Sequence, residues 1–151
     1  VKVKIIDNFF DQSDYLQILA DSNIDWTINK RNTIYKNLTK DFYTKKCVET
    51  ISNKLNKPVK LYRAYSHAFH ANQKSGIHED VNATHTALFF VNNIYDENWM
   101  GGTVIWDSKP QYVQFKPNRM VIFEAQLLHT GTMFANTDDY RIQCIWKINV
   151  L

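Results

Sequence analysis

From Pro58 onward the chain reads as a succession of short β-segments, and this alternation narrows the fold more than any other feature. Segments rich in Val, Ile, Thr and aromatic residues occupy 59–69, 83–92, 102–106, 110–115, 119–124, 127–133 and 140–150, with turn-forming residues between them. The chain before Pro58 is different. Residues 3–6 read as a short strand. Asp11 or Ser13 can cap a helix running to about Ala20, with Tyr15, Leu16, Ile18 and Leu19 as its apolar positions. A second helix is expected from about Lys40 to Leu55, where Phe42, Val48, Ile51 and Leu55 recur at helical spacing, and it must stop before Pro58. Residues 24–38 read as loop with a strand. Two helices followed by some seven strands predict a mostly β fold, a barrel or sandwich backed by helices.

Length and composition set the remaining bounds. At 151 residues the chain predicts a single domain, residues 1–151, with helical support over about 1–57 and a β-core over about 58–151. Hydrophobic residues make up 44% and charged residues 22%, which excludes a disordered chain. Aromatics at 14% point to a packed β-rich core or an aromatic-lined pocket. No apolar run approaches the ~18–20 residues of a membrane span, so no membrane partner is expected. Asp7 interrupts the first apolar stretch, which does not read as a secretory signal. Cys47 and Cys144 are too few for a disulfide scaffold, and a cytoplasmic location with two buried thiols is the expectation. The net charge of +3 is too mild to argue for a nucleic-acid partner.

Three ligand-type residues stand out. His78 and Asp80 are two positions apart, so on an extended segment both face the same side and can meet one ion. His129 follows Asp80 by 49 residues, far enough to return on a neighbouring strand. Two His and one carboxylate make the facial triad of non-haem Fe(II) oxygenases, which leaves coordination positions open. Arg141 lies twelve residues past His129 at the start of a strand, where its planar fork can hold a carboxylate. A co-substrate that needs both a metal chelate and a distal cation is 2-oxoglutarate. His-x-Asp alone is a weak signal; the four residues in this order and spacing are a much stronger one.

These residues lie among further matching pieces: HED (78–80), TALFFVN (86–92), W-MGGTVIW (99–106), F-KPNRMVIFEAQLLHTG (115–131) and YRIQCIWKI (140–148). With the opening IIDNFF, they give a chain that over about nine-tenths of its length resembles the prolyl-4-hydroxylase-like branch of the 2-oxoglutarate/Fe(II) dioxygenases. The resemblance implies a double-stranded β-helix, a cupin-like jelly roll, with helices packed on one sheet. It implies that His78, Asp80 and His129 hold Fe(II) and that Arg141 binds the distal carboxylate of 2-oxoglutarate. It also implies O2 as oxidant, ascorbate as a reductant, succinate and CO2 as products, and hydroxylation of a C–H bond, with a prolyl residue of a peptide or protein as first substrate.

The chain departs from the family pattern in places. Where the family often has Asn-x-Tyr before the first metal His, this chain has His67-Ala68-Phe69; Phe90 and Gly76 stand where further tyrosines are common. Tyr65 shares strand parity with His67 and could supply a hydroxyl, and Gln143 sits two residues beyond Arg141. Leu88 and Phe90 share a face that can wall the co-substrate site. Substrate recognition would fall to loops 24–46, 70–77 and 93–101, with His67, Tyr95 and Trp99 as candidate substrate contacts. Lysines 30, 36, 40, 45 and 46 read as a solvated face, or as a basic lid. Other readings stay open: the same chemistry on a free amino acid, a small metabolite or an alkylated nucleobase, or a metal-binding jelly roll without turnover. Lys147, six residues past Arg141, stands where the nucleic-acid branch often has a second Arg. The missing Asn-x-Tyr also argues against that branch.

Overall fold

The computed structural model describes residues 2–24, 26–28, 34–71, 73 and 75–151. Lys30 of the expected basic face or lid, and Asn72 and Lys74 of the 70–77 loop, lie outside the described residues.

The first strand, β1 (Val3–Ile6), leads to α1 (Gln12–Asp21). Asp11 caps this helix: its carboxylate accepts the Asp14 N–H at 2.8 Å, satisfying a backbone donor that the helix cannot. Strands β2 (Thr27–Ile28) and β3 (Ile34–Asn37) follow. The second helix begins as a π-helical turn (Phe42–Lys46) and continues as α2 (Cys47–Leu55), ending at Asn56 in the left-handed conformation. Within it Lys46 pairs with Asp14 at 2.8 Å, tying the second helix to the first. Lys40, Lys45 and Lys46 are exposed, as a solvated face requires, whereas Lys36 is buried and donates to the Asp21 and Ile24 carbonyls.

After Pro58 come β4 (Val59–Phe69), β5 (His85–Phe90), a 3-10 turn (Glu97–Trp99), β6 (Thr103–Asp107), β7 (Lys109–Val113), β8 (Met120–Glu124), β9 (His129–Gly131) and β10 (Arg141–Val150). They form two antiparallel sheets. The larger has seven strands in the order β1-β8-β5-β10-β4-β3-β2; the smaller has three, β7-β6-β9. His78 and His129 exchange backbone hydrogen bonds at 3.1 and 2.9 Å, which lays the 78–80 segment along the edge of the smaller sheet. The N-terminal part thus supplies three strands of the larger sheet as well as the helices, since β1 pairs with β8 and β3 with β4. The result is a jelly roll with helices on one sheet.

Strand parity divides the interior into two layers. Ala87, Phe89, Met120, Ile122, Cys144, Trp146 and Ile148 pack against Ile18, Tyr43, Val48 and Ile51 of the helices. Trp146 is completely buried and its indole N–H donates to the Tyr43 carbonyl at 3.0 Å, which fastens the π-helical turn to the sheet. The alternate positions, Leu88, Phe90, Val121, Phe123 and Ile145, face the smaller sheet and meet Ile105, Val113, Phe115 and Phe134. The site grows out of this second layer. Among the described residues no helix is long and apolar enough to cross a membrane.

Candidate metal centre

His78, Asp80 and His129 converge: one ligand atom from each lies within 4.8 Å of the others. His78 is half-exposed, whereas His129 and Asp80 are almost buried. Both imidazoles are oriented by backbone. His78 Nδ1 lies 2.9 Å from the Gly76 carbonyl, and His129 Nδ1 lies 2.8 Å from the Leu127 carbonyl. A carbonyl can only accept, so each Nδ1 donates to it, and each Nε2 is the nitrogen available to an ion. Those Nε2 atoms face Asp80, at 3.7 Å from Oδ1 for His78 and 3.4 Å from Oδ2 for His129. Two imidazole nitrogens and a carboxylate on one side of an ion are a fitting donor set for Fe(II) with open positions.

Asp80 is held from behind. Its N–H donates to the Ala125 carbonyl at 2.8 Å. Its Oδ2 accepts the Thr86 hydroxyl at 2.6 Å and pairs with the Lys147 ammonium. Burial works against the charge, but His129, Lys147 and Thr86 outweigh it and keep the carboxyl well below its ordinary range. The group therefore stays ionised throughout the physiological range.

His78 and His129 border a narrow cavity of about 80 Å³, also lined by Tyr65, His67, Leu88, Ile145, Gln143 and Lys147. His67 stacks between Tyr65 and Phe69, with ring centroids 5.0 and 5.3 Å away. Burial, with Arg63 and Lys147 adding to it, pushes the His67 imidazole down to about 4, so it is neutral at pH 7. Burial raises the Tyr65 phenol, and Asp80 adds to that.

Arg141 is fully buried. Its Nε donates to the Gly101 carbonyl at 2.6 Å, one Nη to Gln143 Oε1 at 2.5 Å and the other to Thr103 Oγ1 at 3.1 Å. Its guanidinium lies 5.5 Å from the Phe90 ring. Burial brings it down to about 10, which leaves it charged at neutral pH. These acceptors are all neutral, and among the described residues no carboxylate forms an ion pair with it. A desolvated cation in that state fits an anionic ligand. Thr103, Gly131 and Gln143 line the cavity beside it.

Tyr95 and Trp99 do not line this cavity. They belong to an aromatic cluster with Phe115 and Phe134, where Tyr95 lies 4.7 Å from Phe115 and Trp99 lies 5.6 Å from Phe134. Their place is to brace the turn that carries Gly101. That glycine has φ +78°, and a Cβ there would come within 2.3 Å of Phe134. Only glycine lets this carbonyl reach Arg141. Phe90 likewise supports Arg141 from the second layer, stacked on Phe115 at 4.6 Å. The sequence reading gives neither Lys147 nor Thr86 a place at the metal centre. Parity could have found them, because Lys147 shares a strand face with Arg141 and Gln143, and Thr86 with Leu88.

No protein-family model matches this chain, and no curated protein matches it in sequence. Solved structures do match. An oxidoreductase of the 2OG-Fe(II) oxygenase family from Burkholderia pseudomallei superposes with a TM-score of 0.78 at 8% identity, covering 98% of this chain and 84% of that one. A prolyl hydroxylase from Trichoplax adhaerens, in complex with a hypoxia inducible factor oxygen degradation domain peptide, gives 0.70 at 14% identity, over 96% and 82%. HygX from Streptomyces hygroscopicus, with nickel and 2-oxoglutarate bound, gives 0.73 at 10% identity, over 98% and 82%. The chain has the fold of the 2-oxoglutarate/Fe(II) oxygenases, prolyl hydroxylases among them.

Proposed function

We propose that this protein is a 2-oxoglutarate- and Fe(II)-dependent oxygenase that hydroxylates a C–H bond, with a prolyl residue of a peptide or protein as its substrate. One observation carries the reading: both histidines of a His-Asp-His cluster line a narrow cavity, and the Thr103, Gly131 and Gln143 that also line it pack on a buried arginine whose partners are all neutral. The prolyl assignment rests on the resemblance of the sequence and on the prolyl hydroxylases among the structural neighbours.

His78, Asp80 and His129 would hold the iron. Bound there, Fe(II) supplies the O2 chemistry that couples oxidative decarboxylation of 2-oxoglutarate to oxidation of a substrate C–H bond. The protein does the rest. Arg141 fixes the distal carboxylate of the co-substrate by its guanidinium fork, with Gln143 and Thr103 holding that fork in place. Leu88 and Ile145 form an apolar wall that keeps water from the carbon chain between the two carboxylates. Neutral His67 and the Tyr65 phenol add polar contacts without adding charge.

The test is anaerobic addition of Fe(II) and 2-oxoglutarate to the wild type and to Arg141→Ala, watching for the visible charge-transfer band of the chelate. The wild type should show the band, and the variant should need far more 2-oxoglutarate to reach it. No band with Fe(II) demonstrably bound would overturn the oxygenase reading. Succinate release in air with prolyl peptides, set beside free amino acids, then tests the substrate.

A further inference from the structure

The reaction just proposed makes no use of Lys147, yet this lysine lies at the centre of the site. β10 carries Arg141, Gln143, Ile145 and Lys147 on one face, the last three line the cavity, and the Lys147 side chain is only 10% exposed. Its ammonium pairs with Asp80 Oδ2, the oxygen that also faces His129 Nε2 at 3.4 Å, and lies 3.4 Å from the Thr86 hydroxyl. A bulge where β10 pairs with β4, between Lys147 and Ile148, interrupts the register at this point. The ammonium and a metal ion thus draw on the same carboxylate.

The charges of the pocket then set an order. Asp80, Lys147 and Arg141 together carry one positive charge. A bare divalent ion adds two more in a poorly hydrated cavity, which is unfavourable. A dianionic dicarboxylate returns the sum to its starting value. Arg63, the next cation acting on Lys147, only adds to the same sign. We propose that Lys147 is a positioning residue that holds Asp80 and, by opposing a lone divalent ion, makes metal binding depend on the dicarboxylate co-substrate. The proposal rests on the oxygenase reading of the site. Linkage makes the effect reciprocal, so the dicarboxylate also binds better once the metal is present.

The test is Mn(II) binding, read by loss of the free-ion signal in electron paramagnetic resonance, with and without 2-oxoglutarate. Wild type, Lys147→Met and Lys147→Arg are compared. Wild type should bind Mn(II) weakly alone and at least about tenfold more tightly with 2-oxoglutarate. Lys147→Met should bind Mn(II) alone about tenfold more tightly than wild type, with a smaller gain from 2-oxoglutarate. Lys147→Arg keeps the charge and should restore the wild-type pattern. Where Lys147→Met fails to fold by circular dichroism, Lys147→Gln replaces it, keeping a hydrogen-bond donor without the charge. Unchanged or weaker binding of Mn(II) alone in the folded neutral variant would overturn the role of Lys147 and leave the oxygenase reading standing. No Mn(II) binding by wild type under either condition would overturn both.

Discussion

The two faces of β10 were built for different ends. One face carries Cys144, Trp146 and Ile148, all buried against the helices. The other carries Arg141, Gln143, Ile145 and Lys147, also buried, yet three of these four are polar or charged. A strand whose only task is to hold a sheet together gains by being apolar on both sides, since a buried charge costs more than a buried methylene. The apolar face pays in stability; the polar face makes physical sense only where a metal and an anion are to be received.

The comparison can be broken at either face. The largest effect is expected at Asp80. Asp80→Ala removes the anionic ligand and leaves Lys147 buried without its partner, so Mn(II) binding should disappear in calorimetry and turnover with it. On the other face, Trp146→Ala opens a cavity and frees the Tyr43 carbonyl. It should cost about 3–5 kcal/mol in denaturant unfolding, with the metal ligands untouched. Arg141→Met sharpens the contrast. It should weaken 2-oxoglutarate binding about a hundredfold, as truncating one side of a buried charge pair does. Its loss of stability should be smaller than that of Trp146→Ala, because relief from desolvation offsets the lost hydrogen bonds.

A last contrast is one of pH, and it vanishes near neutrality. His67 is held at about 4 in the fold, against about 6.5 when unfolded. The unfolded chain therefore binds the proton first. The contribution of neutral His67 is present in full above about pH 6.5 and is lost as the pH falls toward 4, by up to about 3 kcal/mol. Unfolding free energies measured across that window should fall less steeply in His67→Gln. An equal slope in the two proteins would mean that the imidazole charges freely in place.

Much of this architecture is legible in the sequence for a local reason. The strands after Pro58 announce themselves by alternation and turn residues, and β4 spans the expected 59–69 without change. Asp11 caps α1 as its side chain requires. His78 and Asp80 face one way because an extended chain repeats every second residue. The π-helical turn at Phe42–Lys46 was not legible, since helical spacing looks alike over one wider turn. Tyr95 and Trp99 were read as substrate contacts because exposed loop aromatics suggest binding; their packing on Phe115 and Phe134 depends on residues distant in the chain.

The sequence by itself determined the order of helices and strands, which side chains share a strand face, and the candidate set of His78, Asp80, His129 and Arg141. All of these follow from periodicity and spacing along one segment or between two. Only the tertiary structure decided that Arg141 is buried among neutral acceptors, that β1 and β3 join the larger sheet, and that Lys147 meets Asp80. Those facts depend on how antiparallel strands far apart in sequence are brought into register, and closure of the two sheets sets that register through packing that no local pattern records.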